Sequence, residues 1–398
     1  MRGSRRRAAA GGYVGVVRVL LGCSLGGEGH LIPLTEVGRA IERAGHEVLL
    51  LVPPALAGSA ERNGLPYRVG DEPPRAFVDE IWRRVRAGPA DAVAGLIDRE
   101  LFGRACTEAM LIAAREVRDT WRPEFVVREP CEYASAIVAY EAAINQAQVG
   151  ISLSRLEFNV RAMVEPIIEP FASGVDSAIA AAPYLTSFPP SMDESPWPDT
   201  RRFRPASAAT DPVDGQRPAG DEPLVYVTFG TVLGHLPGAI DVYRAALQAV
   251  AGLRARVLVT VGRATDVAAL GAIPENTRVE QWIPQETVLR QAALVVCHGG
   301  SGTTFGALAS GIPLVVCPLF ADQKRNGRAV RDAGAGVMIE SGEDAAGGLR
   351  SLGPEDAAAL RTAIDQVLST PAYHRAARRV AAEIAAMPTL DDVVKHLG

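Results

Sequence analysis

The stretch from Val279 to Gln323, VEQWIPQETVLRQAALVVCHGGSGTTFGALASGIPLVVCPLFADQ, contains the most informative pattern in this chain. Its apolar run Leu294–Cys297 predicts a buried strand, and the loop HGGSGTT follows at once, before a helical pattern. A glycine-rich loop between a strand and a helix start lets backbone N–H groups approach an anion closely. The order of strand, loop and helix therefore predicts an α/β fold with a phosphate-binding loop.

This loop differs from two common phosphate-binding motifs. A P-loop requires a GK pair after its glycine run, but the only lysines of the chain are Lys324 and Lys395, and no GxGxxG follows a predicted strand. His298 stands at the end of the strand instead, where an imidazole can donate to a diphosphate without a metal ion. The other expected donors are hydroxyls and first-turn N–H groups of the loop, those of Gly300, Ser301, Gly302 and Thr303.

Residues on either side of the loop suit the other parts of a nucleotide sugar. Asp322 and Gln323 follow the next predicted strand, Leu314–Cys317, and a carboxylate beside an amide can pair with sugar hydroxyls. Upstream, Trp282 offers a flat face to a pyrimidine base, and Gln285 offers a polar edge. A tryptophan buried in the core is the alternative for Trp282.

The motif WIPQ…HGGSGTT…GIP…P…ADQ resembles the donor-site signature of family 1 inverting glycosyltransferases, which include UDP-glycosyltransferases and actinobacterial natural-product glycosyltransferases. Weaker similarity extends over nearly the whole chain. The resemblance implies that Trp282 stacks on the base and that His298 and the loop from Ser301 to Thr303 hold the diphosphate. It also implies that Asp322 and Gln323 hold the sugar.

One departure from this family bears on the nucleotide. UDP-using members continue to a glutamate that binds both ribose hydroxyls, and by position Gly306 stands there. Losing two charge-assisted hydrogen bonds, at about 1.5–3 kcal/mol each, removes most of the preference for ribose over deoxyribose. We therefore expect a dTDP-sugar as co-substrate and no other cofactor. The alternative is that another residue supplies the ribose contact.

The amino-terminal part predicts a βαβ unit, with a strand at Val16–Leu21, a helix at Leu31–Ala44 and a strand at Glu47–Val52. Between the first two lies GCSLGGEGH, which places His30 at the helix entry, on the sheet edge where ligands bind. A capping or packing histidine is the alternative. The segment GGEGHLIPL, however, resembles the GHxxP motif of the same family, whose histidine is the general base that deprotonates the acceptor hydroxyl.

A basic histidine needs an acidic partner that orients its ring and stabilises the imidazolium. Glu129 ends the predicted strand Glu124–Arg128 and aligns with an aspartate of the family, which is one methylene shorter. We expect His30 and Glu129 to form the catalytic pair. A solvated carboxylate at a helix start is the alternative for Glu129.

Composition shifts divide the chain. We expect a disordered extension at 1–14, an acceptor-binding Rossmann-like domain at 15–203 and a linker at 204–222 that is rich in proline and glycine. A nucleotide-sugar-binding Rossmann-like domain follows at 223–375, where Thr231 lies in the turn after the first strand, Leu224–Thr228, and is expected to touch the donor phosphate. By the resemblance, helices at 376–398 pack back toward the first domain, and the whole forms a GT-B fold, two such domains facing across a cleft.

The sequence indicates the acceptor pocket less clearly than the donor site. Residues 55–110 and 144–185 carry scattered large apolar side chains, which suit a lipophilic small-molecule acceptor but occur equally in any core. These side chains are Trp82, Phe102, Met110, Phe158, Met163 and Phe171.

Composition excludes other classes. The net charge of -5 over 398 residues gives no general attraction to nucleic acid, and no apolar stretch reaches the roughly 20 residues of a membrane span. Five widely spaced cysteines indicate reduced thiols and a cytoplasmic location. Only two of the 41 basic residues are lysine, which indicates a GC-rich, actinobacterial source. Whether the chain forms a homodimer stays open.

Together these observations predict an inverting glycosyltransferase that moves a deoxysugar from dTDP to a hydroxyl of a lipophilic natural product. No metal is expected, and no DxD sequence occurs in the chain. The alternatives are a UDP-glucose-dependent detoxifying transferase, a sugar-nucleotide epimerase of the same fold, and a catalytically silent auxiliary protein.

Overall fold

The computed structural model describes residues 15–87, 95–205, 222–231, 233–235, 238–319, 322–339 and 352–397. These residues form two parallel β-sheets with helices on both faces, which confirms the expected α/β class. The expected extension at 1–14 and most of the expected linker lie outside the described residues.

The first sheet has seven parallel strands in the order β3-β2-β1-β4-β5-β6-β7. They are β1 Arg18–Gly22, β2 Glu47–Val52, β3 Tyr67–Val69, β4 Phe125–Arg128, β5 Asn145–Val149, β6 Tyr184–Thr186 and β7 Thr200–Arg202. The central strands are nearly continuous apolar runs because both faces of a parallel sheet are covered by helices.

The second sheet has six parallel strands in the order β10-β9-β8-β11-β12-β13. They are β8 Leu224–Thr228, β9 Arg256–Thr260, β10 Thr277–Glu280, β11 Ala292–Cys297, β12 Leu314–Val316 and β13 Gly336–Met338. Both orders are those of a doubly wound fold, in which the strand order reverses beside the first strand of each sheet.

The helices connect these strands. They are α1 Glu28–Arg43, α2 Ala57–Asn63, α3 Arg75–Ala87, α4 Thr107–Trp121, α5 Ala134–Glu141, α6 Ser154–Ile168, α7 Val175–Ala181, α8 Ala239–Val250, α9 Gln285–Leu289, α10 Ser301–Ala309, α11 Gln323–Asp332, α12 Pro354–Ser369, α13 Pro371–Ala386 and α14 Leu390–Val394. A π-helical segment, Ile97–Cys106, precedes α4, and short 3-10 turns lie at Pro54–Leu56, Leu233–His235 and Val267–Leu270. None of these described helices is both long and apolar enough to cross a bilayer.

The end of the chain returns to the first sheet, but later than expected. The expected boundary between the second domain and the returning helices was at residues 375 and 376. That boundary falls inside α13, which packs on the second sheet through Ala376, Val380 and Ile384. The return follows α13, because Leu390 and Val394 of α14 lie in the core of the first sheet. α13 packs against α10 of the second half, and near its end Glu383 and Ala385 accept hydrogen bonds from Ser191 and Arg204 of the first half.

Candidate active site

Four of the side chains expected in the site lie at the carboxyl ends of adjacent central strands, two in each sheet. In the first sheet, His30 follows β1 and Glu129 follows β4, and these two strands pair directly. In the second sheet, Thr231 follows β8 and His298 follows β11, which also pair directly. Both positions are points where the strand order reverses, and these are the usual ligand sites of open α/β sheets.

His30 and Glu129 form a close pair. The Nδ1 atom of His30 lies 3.3 Å from Oε2 of Glu129, although its direction departs from that of a straight hydrogen bond. Glu129 is completely buried and accepts backbone N–H bonds from Ser24 at 2.9 Å and Cys131 at 2.7 Å. Burial by itself raises the pKa of Glu129, but the His30 ring and these two donors outweigh it and hold the pKa below its ordinary value. The carboxylate is therefore ionised and fixed in place.

The His30 ring is placed by its own loop and by one aromatic neighbour. A methyl group at Gly26 would lie 2.3 Å from the ring, so only glycine leaves room for it. On another side the ring stacks on Phe102, with centroids 5.7 Å apart and an angle of 29° between the planes. The helix begins at Glu28 and not at Leu31 as expected, because Gly27 adopts a φ of 75° and turns the chain early. His30 thus lies within the first turn of α1.

Arg128, for which no role was expected, supports the loop that carries Glu129. Its side chain is completely buried, and Nη1 donates to the carbonyls of Glu129, Pro130 and Glu132 at 3.2, 3.3 and 3.0 Å. Its Nη2 donates to Gln148 at 2.8 Å. Three carbonyls held by one guanidinium fix the backbone next to the Glu129 carboxylate.

One arrangement in this region is also compatible with a metal ion. Ligand atoms of His30, Glu129 and Cys131 lie within 4.8 Å of one another, and this donor set is one that zinc accepts. Burial, however, raises the pKa of the Cys131 thiol well above its ordinary value, and the Glu129 charge raises it further. The His30–Glu129 pair within this cluster is also the arrangement of a base and the carboxylate that orients it.

His298 is a buried neutral ring at the centre of the second site. It is 9% exposed, and burial lowers its pKa to about 4, so that at neutral pH it carries one N–H and no positive charge. Methyl groups at Gly230 and Gly300 would lie 2.9 and 2.5 Å from the ring, so both glycines are needed for its position. His298 thus occupies the place of a P-loop lysine without supplying its charge.

The loop after His298 opens toward solvent at one residue. A methyl group at Gly302 would meet no atom within 4 Å, whereas Thr303 is largely buried. Ser301 begins α10, and its hydroxyl donates to Asp322 at 3.1 Å, away from the expected phosphate. The unpaired N–H groups of the first turn of α10 therefore remain as the principal donors to an anion.

The two residues expected to hold the sugar, Asp322 and Gln323, differ in their hydrogen bonds and in their exposure. Oδ2 of Asp322 accepts hydrogen bonds from Ser152 at 2.6 Å, Ser301 at 3.1 Å and Asn326 at 3.2 Å. Gln323 is only 3% exposed, and its Oε1 accepts from the backbone N–H of Leu319 at 2.8 Å. The expected acceptor of Gln323 is thus used within the fold, because it binds the backbone at Leu319.

Of the two residues expected to bind the base, Gln285 lies beside Gly306. Trp282 is 47% exposed, so the alternative of a core tryptophan is wrong, and the guanidinium of Arg263 lies 4.7 Å from its ring centroid. Gln285 begins α9, and its buried Nε2 has no partner among the described residues. A methyl group at Gly306 would lie 3.7 Å from that Nε2. The amide of Gln285 therefore lies where the missing glutamate would point.

Of the large apolar residues expected around the acceptor, Phe102 stacks on the His30 ring. Trp82 and Phe102 belong to a small cluster with Ile81, Val85 and Leu101. The others have different positions: Met110 is buried in the core of the first sheet, Phe158 packs edge-on against Trp197, and Met163 is 38% exposed.

Sequence patterns missed Ser152 and Asn326, which both bind Asp322, and missed Arg128 beneath Glu129. Ser152 had no signal, since it acts on a residue 170 positions away. Arg128 had a weak one, because an arginine at the end of an apolar strand in a buried sheet requires acceptors nearby.

Comparisons with known proteins agree with this architecture. Residues 244–398 match the family model described as Erythromycin biosynthesis protein CIII-like, C-terminal domain. The elloramycin glycosyltransferase ElmGT of Streptomyces olivaceus is 33% identical over 291 residues, which cover 72% of this chain and 71% of that protein.

Two solved structures have the same fold. The glycosyltransferase SnogD from Streptomyces nogalater has a TM-score of 0.73 at 24% identity and covers 96% of this chain and 98% of its own. The spinosyn rhamnosyltransferase SpnG complexed with thymidine diphosphate has a TM-score of 0.73 at 23% identity and covers 96% of this chain and 100% of its own. These likenesses confirm the expected GT-B arrangement of two α/β domains.

Proposed function

This chain belongs to the family 1 natural-product glycosyltransferases of GT-B fold, and we propose that it transfers a deoxysugar from dTDP to a hydroxyl of a lipophilic natural product, inverting the anomeric centre. The observation that carries the proposal is the His30–Glu129 pair, whose nearest atoms lie 3.3 Å apart. The pair lies at the carboxyl edge of the first sheet, and the glycine-rich loop after His298 lies at the carboxyl edge of the second. The elloramycin glycosyltransferase, a relative by sequence, supports an antibiotic-type acceptor.

His30 acts as the general base in this mechanism. With Nδ1 directed to Glu129, the Nε2 atom is left to take the proton of the acceptor hydroxyl as its oxygen attacks the anomeric carbon. Attack comes from the face opposite the nucleotide, which inverts that centre. The ionised Glu129 stabilises the imidazolium that forms.

The second site stabilises the leaving diphosphate. First-turn N–H groups of α10, at Gly302 and Thr303, donate to its oxygens, and the N–H of His298 adds a further bond. A diphosphate next to the His298 ring favours its protonated form and so opposes the effect of burial. These donors carry the developing charge without a metal ion.

The neighbourhood of Gly306 supports dTDP over UDP. A carboxylate accepts from both ribose hydroxyls, whereas the neutral Gln285 amide beside Gly306 offers one acceptor oxygen and one donor nitrogen. That suits the single free hydroxyl of a deoxyribose. The thymidine diphosphate in the SpnG structure, a protein of the same fold, agrees with this choice.

Calorimetric titration with dTDP and with UDP, under identical conditions, tests the donor. We expect dTDP to bind at least tenfold tighter, a difference of about 1.4 kcal/mol. Gly306→Glu, which has room for a Cβ beside Gln285 and Leu289, should narrow this ratio by improving UDP binding.

Equal or tighter binding of UDP to the unaltered protein would overturn the dTDP assignment. It would favour the alternative of a UDP-glucose-dependent detoxifying transferase and leave the role of His30 untouched.

A further inference from the structure

Ser152 belongs to the first sheet's half of the molecule, but its side chain binds a residue of the second half. It lies just after β5, is 7% exposed, and its Oγ donates to Oδ2 of Asp322 at 2.6 Å. Asp322 is the carboxylate expected to hold the donor sugar. A hydroxyl of the acceptor half thus contacts the sugar site of the donor half.

Ser152 is held rigidly. The buried carboxyl of Glu157 accepts the backbone N–H bonds of Ile151 at 2.8 Å and Ser152 at 2.6 Å. The Tyr184 hydroxyl, also buried, donates to the same carboxyl at 2.5 Å. Because Glu157 and Tyr184 are both inside the core, the position of the Ser152 hydroxyl is set by the fold of the first half and not by a free loop.

The contact with Ser152 involves only one oxygen of the Asp322 carboxylate. Ser152, Ser301 and Asn326 all donate to Oδ2, and among the described residues no hydrogen bond reaches Oδ1. One carboxylate oxygen has about two lone-pair sites, so three donors saturate Oδ2. Oδ1 is the oxygen left for a sugar hydroxyl.

A second interaction joins the same two regions. Arg325, in the first turn of α11, acts electrostatically on Asp98 of the π-helical segment in the first half. Burial raises the pKa of Asp98, and the Arg325 guanidinium opposes that effect. The charge of Arg325 in the second half is therefore opposite to that of a carboxylate in the first.

We propose that Ser152 is a positioning residue for the donor sugar: it holds Asp322 with Oδ1 directed to the sugar, so that recognition of the sugar requires the first half and recognition of the nucleotide does not. This inference rests on the proposed function, since it assumes a nucleotide sugar in the second half. The nucleotide residues Trp282, His298 and Gly302 all belong to that second half.

The test is Ser152→Ala, titrated with dTDP and with dTDP-glucose. We expect the Kd for dTDP to stay within twofold of the unaltered protein and the Kd for dTDP-glucose to rise at least fivefold. Ser152→Thr, which keeps a hydroxyl, should restore dTDP-glucose binding. Ser154→Ala is the matched control, because this nearby serine donates to Asp193 and not to Asp322.

Three outcomes would overturn the positioning role. Unchanged binding of both ligands would make the contact incidental. Tighter binding of dTDP-glucose would mean that Ser152 competes with the sugar for Asp322. Equal weakening of both ligands, with a lowered melting temperature, would indicate only a structural role. Failure of the unaltered protein to bind dTDP would instead reject the donor assignment on which the inference rests.

Discussion

At the scale of single residues, Glu129 shows how a longer side chain is accommodated in a place where the family has an aspartate. The extra methylene is taken up because two backbone donors, Ser24 and Cys131, hold the two carboxylate oxygens. The carboxylate then lies 3.3 Å from His30, but not in line with its ring nitrogen. The pair thus keeps its electrostatic interaction, while part of its directional hydrogen bond is lost.

We predict that His30→Ala lowers kcat by roughly 10²–10⁴, because proton removal by a positioned base contributes about that much. Glu129→Gln should also lower kcat, since it removes the charge that stabilises the imidazolium. Steady-state kinetics with any accepted hydroxyl compound, beside dTDP titration, measures both. Binding of dTDP should be unchanged, because both residues lie in the first half.

His46→Ala is the control for this pair. That histidine accepts from Val17 at the far end of β1 and should affect stability more than turnover. Full activity of His30→Ala would show that another group removes the proton.

At the scale of elements, α10 and the loop before it form the anion site, and each glycine has its own function. Gly300 is small because the His298 ring lies against it, with 2.5 Å to a methyl group at that position. Gly302 lies in open space, so no contact with the described residues requires a glycine at this position. A bound diphosphate would supply such a requirement.

Gly302→Ala is therefore predicted to leave stability unchanged or to raise it by about 0.5–1 kcal/mol, the usual gain of alanine over glycine in a helix. Binding of dTDP should weaken at least tenfold, because the methyl group enters the expected ligand space. Thermal melting and calorimetry measure the two effects.

Gly58→Ala provides the comparison, since Gly58 also lies in a first helical turn with no close neighbour other than the flexible end of Arg62. If Gly302→Ala bound dTDP as tightly as the unaltered protein, the diphosphate would lie elsewhere.

At the scale of the whole molecule, the two sheets are joined by contacts far apart in sequence. Besides Ser152 and Asp322, Phe188 stacks on Phe305 at 3.9 Å, and the backbone N–H of Ser191 donates to Glu383 at 2.9 Å. The last helix, α14, adds Leu390 and its neighbours to the core of the first sheet. The Glu157 carboxyl holds the backbone of Ser152 at one of these junctions, and its protonation therefore affects the stability of the first half.

Burial raises the pKa of Glu157 from 4.5 to about 8, so the folded protein binds this proton more tightly than the unfolded chain. Stability contributed by this group is therefore present at low pH and is lost as pH rises from about 4.5 to about 8. Glu157→Gln keeps the acceptor for Ile151 and Ser152 without a charge. We predict that the stability of the variant rises relative to that of the unaltered protein as pH increases across this interval.

Urea unfolding at pH 5, 6, 7 and 8 measures this difference. Glu165→Gln, an exposed position on the same helix, should show no such trend. A constant difference between the Glu157 variant and the unaltered protein over the whole range would contradict the prediction.

Local sequence patterns were sufficient to predict strands of both sheets and the glycine-rich loop after His298. Buried parallel strands are continuous apolar runs, and a strand, glycine loop and helix start follow each other directly in sequence, so neighbouring residues carry the information. Thus the strands ending at Cys297 and Arg128 were placed correctly, and the adjacency of His30 and Glu129 followed from parallel strands meeting at one edge. The roles of these residues in catalysis stay predictions.

Only the tertiary structure could show the features of the site that depend on residues far apart in the sequence. The pairing of Ser152 with Asp322 spans 170 residues, and no local period encodes it. His298 is neutral because it is buried, with Gly230 and Gly300 against its ring. The side chain of Gln323 is directed into the fold because it binds the Leu319 backbone. Burial and long-range hydrogen bonds are properties of the packed molecule, because each depends on atoms that the chain brings together only when both sheets have formed.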